Sequence, residues 1–188
     1  MVQRITADAL ASNAVTTAAV TDAAITAVKT SGVNTKLTGD VVQVVNSQSG
    51  AVATGTGTIP LDDTIPQIGE GNEFLTVAIT PTSATNILQI DAVVAVSNSA
   101  GAATMIAALF QDATANALAA GAQVVANSGV LVHVRLTHRM TAGTTSATTF
   151  RVRAGASVAA TTTFNGALGA RLFGGVTLSS LTVTEIRV

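Results

Sequence analysis

Five basic side chains fall within two short stretches of this chain and obey one spacing rule. In Val130-Leu-Val-His-Val-Arg-Leu-Thr-His-Arg-Met140, alternate residues separate into an apolar set, Val130, Val132, Val134 and Leu136, and a second set, Leu131, His133, Arg135, Thr137 and Arg139. A β-strand turns successive side chains to opposite faces, so the two sets mark an inner and an outer face. Phe150-Arg-Val-Arg-Ala154 repeats the pattern, with Phe150 and Val152 inward and Arg151 and Arg153 outward. The link Thr141-Ala-Gly-Thr-Thr-Ser-Ala147 is short and polar, which predicts a hairpin with His133, Arg135, Arg139, Arg151 and Arg153 on one sheet face. That face would gather five of the chain's eleven Lys, Arg and His residues. Guanidinium forks match carboxylate and phosphate oxygens, so such a face suits an anionic glycan or the phosphates of lipopolysaccharide. The alternative is structural: the same arginines pair with Asp62, Asp63, Glu70 or Glu73 across a subunit interface.

Other chemistry is sparse. His133 and His138 are five apart on one strand, so they point to opposite faces and do not share a metal. Asp62-Asp63 also point apart in extended chain, and a loop Ca²⁺ site there would need backbone carbonyls as further ligands. There is no cysteine, hence neither disulfide framework nor thiolate metal site. Gly-x-Ser-x-Gly, His-Glu-x-x-His and phosphate-cradling loops before Lys are all missing. The glycines of 169–175 are those of turns and bulges. Glycoside cleavage would require two placed carboxylates, and the acids here are few and scattered. The expectation is a protein without cofactor, metal or catalytic residue. Nucleic-acid binding is also not expected, because net charge is −1 and no aromatic side chains interleave with the basic ones.

The elements that must position these residues are β-strands. Of 188 residues 48% are hydrophobic, yet only 3% are aromatic, with five Phe and no Trp or Tyr. Val, Ile and Thr carry the apolar and half-polar content, and their branched Cβ favours extended backbone. Strand signals recur at 74–79, 87–96, 104–111, 130–140, 148–154, 159–164, 171–178 and 181–188. Eight short runs separated by turn residues predict an all-β sandwich or jelly roll. Ala113 to Ala126 is the exception, where Ala-Leu-Ala-Ala-Gly is suited to a helical turn. The final run, Leu181 to Val188, ends on an apolar β-branched residue and predicts a buried central strand.

Residues 1–49 differ and are read as a stalk or attachment arm, with the head spanning 50–188. Ile5, Leu10, Val15, Val20 and Ile25 are five apart. On a helix that step turns through about 140°, and on a strand it alternates faces, so neither regular element alone gathers them. A short repeat with a turn in each cycle fits, and an Ala-rich helix capped at Thr21 or Asp22 is the alternative. Gly50 to Gly57 predicts a flexible lead-in, and Pro60 and Pro66 predict extended backbone after it.

Charge is scarce at 10% of residues against a usual ~25%. A chain this apolar enters a membrane or covers itself with copies of itself. No run approaches the ~18–20 apolar residues of a spanning helix, and the Tyr and Trp girdles of an outer-membrane barrel are missing. Self-association is the expectation. The opening Met-Val-Gln-Arg-Ile lacks the pattern of a secretory signal, which predicts synthesis in the cytoplasm and release by assembly or lysis.

Four blocks carry a resemblance: Gly55-Thr-Gly-Thr-Ile-Pro-Leu-Asp-Asp-Thr-Ile-Pro-Gln67, Ala108-Leu-Phe-Gln-Asp-Ala-Thr-Ala-Asn-Ala-Leu118, Thr148-Thr-Phe-Arg-Val-Arg-Ala-Gly155, and Asn165-Gly-Ala-Leu-Gly-Ala-Arg-Leu-Phe-Gly-Gly175 with Leu181-Thr-Val-Thr-Glu-Ile186. Together they resemble a C-terminal module of tail-fibre and related virion proteins of tailed bacteriophages, over residues 50 to 188. The Ala/Thr repeat ahead of them is similar to the stalk repeats of such fibres. The resemblance implies a virion protein, a homotrimer with a jelly-roll-like head, and it carries over no defined binding residue. Two roles follow as expectations. One is a fibre contacting a host surface glycan, docked on other virion proteins through residues 1–49. The other is a head-fibre, capsid-decoration or tail-cap protein without receptor binding, which the lack of Trp and Tyr sugar platforms favours.

Overall fold

The computed structural model describes residues 37–188, and the five-residue spacing over Ile5 to Ile25 lies outside them. Leu37–Val188 forms one unit. Its strands are β1 (Val41–Ser49), β2 (Ala53–Gly55), β3 (Asn72–Ile79), β4 (Ile87–Asn98), β5 (Ala103–Gln111), β6 (Ala119–Val125), β7 (Val132–Thr141), β8 (Thr148–Ala156), β9 (Thr162–Phe164), β10 (Gly166–Ala167), β11 (Ala170–Arg171) and β12 (Ser179–Ile186).

Two antiparallel sheets hold the main strands. The first runs β7-β4-β12-β1, with β9 taking over the β12 side of β4 beyond Val93 and β2 pairing β9. The second runs β3-β8-β5-β6. Followed along the chain, β1, β4, β7 and β12 belong to the first sheet and β3, β5, β6 and β8 to the second. A six-stranded and a four-stranded sheet sharing these eight main strands in this order make a jelly roll. The described residues are all-β, and β12 is the central strand that its apolar run predicts, paired with β1 on one side and β4 on the other.

Alternation fills the space between the sheets. Leu88, Ile90, Val94 and Val96 of β4 face Met105, Leu109, Phe150 and Val152 of the second sheet, joined by Leu181 and Val183 of β12. Burying each such side chain contributes roughly 1.5–3 kcal/mol. Phe74 and Phe164 stack with centroids 4.9 Å apart and planes 4° from parallel. On β5 the outward residues Ile106, Ala108 and Phe110 are buried as well, because the segment 56–71 folds over them and packs Ile59 and Ile68 on the sheet's outer side. Burial on both faces explains why this strand reads as one unbroken apolar run.

Glycine permits that cover to lie flat. A Cβ on Gly155 would sit 2.5 Å from the Gly57 carbonyl oxygen, and one on Gly71, whose φ is +61°, 2.8 Å from the Ala154 oxygen. The Gly50–Gly57 segment is therefore closely packed, in contrast to the expected flexible lead-in. Gly50 meets the Gly175 oxygen, and Ala53–Gly55 is a strand paired with β9.

Three further expectations are corrected. Residues 41–49 are β1 of the sandwich, so the head begins before residue 50. Ala119–Val125 is an edge strand, not a helical turn. Its small residues serve the corner where the sheets meet: a Cβ on Gly121 would lie 2.6 Å from the Arg135 carbonyl oxygen of β7. Tertiary packing outweighs the helix preference of alanine here. Residues 171–178 hold the end of a two-residue strand and a short 3-10 turn at Phe173–Gly175.

Candidate functional site

The predicted facing of each basic residue is observed, but their predicted pairing is not. On β7, Val134 and Leu136 are buried while His133, Arg135, Thr137 and Arg139 are exposed. On β8, Phe150 and Val152 are buried, with Arg151 and Arg153 half-exposed on the other side. The two strands form no hairpin. β7 pairs with β4 from Val132↔Val96 to Thr141↔Ile87, whereas β8 lies between β3 and β5 in the other sheet. The 142–147 link crosses the sandwich, anchored by Ala142 N–H to the Asn86 oxygen at 2.8 Å and Gly143 N–H to the Ala84 oxygen at 2.9 Å. The five basic residues therefore divide between opposite outer faces.

Arg151 and Arg153 are occupied within the chain. Arg153 donates through Nε to the Glu70 carbonyl and through a terminal nitrogen to the Gly71 carbonyl, both at 2.8 Å. Glu73 lies 3.4 Å from Arg151 and 3.9 Å from Arg153. Arg151 also donates to the Asp112 carbonyl at 2.6 Å. The carbonyl bonds of Arg153 thus fasten the end of the covering segment to β8, and the pairing with Glu73 joins β3 to β8, all within one chain.

Arg135 and Arg139 form no ion pair among the described residues. They stand opposite Val93 and Gln89 of β4, with Asp91 across from Thr137 between them. A hollow of about 310 Å³ opens here, lined by Asp91, Val93, Arg135, Leu136 and Thr137. His133 extends the face, while His138 is half-buried on the inner side.

A second hollow, also about 310 Å³, lies between residues 62–66 and Ala117, Ala119 and Ala120. Leu61 and Ile65 are 64% and 54% exposed beside it, and β6 adds Val124 at 72%. Asp62 accepts from the Thr64 hydroxyl at 2.6 Å and the Thr64 amide at 2.9 Å. Those bonds hold its carboxyl below the ordinary carboxylate range. Among the described residues no three His, Asp or Glu side chains gather as metal ligands. No helix among them is long and apolar enough to cross a membrane.

Sequence reasoning missed two features. At the end of the sandwich remote from Leu37, Leu168, Phe173 and Val176 are 62%, 72% and 77% exposed. Among the described residues Phe173 is the only exposed aromatic side chain, and both it and Leu168 adopt left-handed backbone, φ +47° and +50°. The other is Glu185, fully buried within β12. Burial alone would raise its pKa. Hydrogen bonds from Gln43, Asn86 and Thr82 outweigh that and bring it to about 2. Period-two counting from Leu181 and Val183 already places Glu185 on the inner face.

No protein-family model and no curated protein matches the chain. Among solved structures, the Eiger TNF of S. frugiperda is similar over 76% of this chain and 92% of its own, at 8% identity and TM-score 0.43. The enzymatically active domain of tailspike protein 4 from bacteriophage CBA120 is similar over 68% of this chain and 19% of its own, at 17% identity and TM-score 0.27. The jelly roll is assigned from the strand order, independently of either likeness.

Proposed function

We propose that this chain is a non-catalytic structural protein of a phage-type virion: a homotrimeric fibre with a jelly-roll head directed at the host cell surface. The observation that carries the self-association is the surface of the head. Leu61, Ile65, Val124, Leu168, Phe173 and Val176 are all more than half exposed on a chain with only 10% charged residues. Exposed apolar area of that extent marks contact surfaces. The four sequence blocks that resemble tail-fibre modules supply the virion setting. In this reading residues preceding Leu37 dock on other virion proteins, and the remote end with Phe173 meets the host glycan, where an aromatic ring is a platform for sugar.

A second reading, a decoration or head-fibre protein without receptor, draws on the lack of Trp and Tyr. One experiment separates the two. Purified full-length protein is added to host cells before phage particles, and adsorption is counted. Competition supports the fibre; undiminished adsorption by a protein of trimeric mass supports the decoration role. Particles lacking the protein altogether, by antibody labelling, would exclude both.

A further inference from the structure

We infer that the 60–66 loop of one copy seats on the Arg135–Arg139 face of a second copy, making the contact between copies heterologous. The proposal rests on the self-association reading above and names its surface.

The loop is a preformed knob. Pro60 and Pro66 limit its backbone, and its far side is fixed by Ala117 N–H to the Pro66 oxygen at 2.9 Å and Ile68 N–H to the Ala115 oxygen at 2.8 Å. Thr64 closes its tip on Asp62. It presents Leu61 and Ile65, more than half exposed, flanking Asp62 and Asp63, neither of which forms an ion pair among the described residues.

The β7–β4 face is the complementary socket. Its hollow presents Val93 as the outward apolar side chain and is edged by the exposed Arg135 and Thr137, with Arg139 farther along the same strand face. Asp91 is the one acid there, against Arg135 and Arg139, so the face keeps a basic excess. Among the six described arginines, Arg151 and Arg153 are taken by Glu73. Knob and socket lie over the outer faces of opposite sheets, and no ion pair joins them within one copy. A second copy can satisfy both. Apolar contact would supply affinity, and the Asp–Arg pairs would set register and partner choice. A contact between two different patches closes into a ring or runs on as a filament.

Light scattering on the full 188-residue chain tests this by charge exchange. Asp62→Arg with Asp63→Arg, and Arg135→Asp with Arg139→Asp, should each lower the mass from oligomer to monomer at unchanged circular dichroism. The chain carrying all four exchanges should regain the oligomer. Leu61→Gln, which removes apolar contact without adding charge, should also give monomer. Oligomers persisting in both double variants would overturn the proposal and leave self-association standing. The same holds if the fourfold variant stays monomeric, or if the double variants stay oligomeric and lose only binding to an anionic glycan. A monomeric wild-type chain would overturn both readings.

Discussion

Glu185 accepts a hydrogen bond from the side-chain amide of Asn86 at 2.6 Å, tying the C-terminal end of β12 to the turn before β4. Thr82 adds its amide and hydroxyl, each at 2.8 Å, and Gln43 of β1 its side-chain amide at 2.6 Å. A buried carboxylate is thus satisfied by neutral donors, and the 80–86 turn is fastened to two strands at once.

The pH dependence of stability follows from this arrangement. Glu185 titrates near 2 in the folded chain against 4.5 for an ordinary Glu. Its contribution is complete above the unfolded value, declines as pH falls below 4.5, and is gone once pH passes below about 2. Glu185→Ala should lower stability at neutral pH by roughly 2 kcal/mol, because the charged acceptor is lost and buried donors are orphaned. Urea unfolding should show the difference between wild type and variant shrinking towards pH 2.

Arg153 bridges the Glu70 and Gly71 carbonyls with two nitrogens of one planar group. Arg153→Ala should cost about 1–2 kcal/mol and speed hydrogen exchange at the amides of Ile59 and Gly71. Arg153→Lys should recover only part of the protection, since an ammonium cannot span both carbonyls with fixed geometry.

Gly155→Ala should be costlier than its size suggests. The added methyl meets a backbone oxygen at 2.5 Å, and the 57–59 segment can yield only by lifting off Phe110. A loss of about 1–3 kcal/mol is expected, read as a drop in melting temperature.

Phe173→Gly should have opposite effects on stability and function. Relief of left-handed backbone at this exposed position should raise stability by about 1 kcal/mol, because no buried contact is lost. Adsorption to host cells should fall. A variant that is both more stable and fully adsorbing would remove Phe173 from the host contact.

The facing of β7, β8 and β12 was legible because alternation depends only on each strand's own residues. Partner choice was not: Val134 and Leu136 are as well buried opposite β4 as they would be in a hairpin with Phe150 and Val152. Polar turn residues at 141–147 suit a crossing as well as a reversal. Small residues misled for a related reason. Gly121, Gly155 and the alanines of β6 are dictated by backbones approaching from distant parts of the chain, which no local pattern records. Arg153 likewise looked available to a ligand because its carbonyl partners at Glu70 and Gly71 lie far away in sequence.

The place of β12 between β1 and β4 also governs how the molecule must be built. β1 ends at Ser49 and β4 at Asn98, while the strand that joins them begins only at Ser179. Until that stretch has emerged from the ribosome, the inner edges of both strands stay unpaired and open to strands of neighbouring nascent chains. Such non-local pairing gives a high contact order and slow closure. Refolding from denaturant is therefore a race between insertion of this strand and aggregation, one that dilution favours.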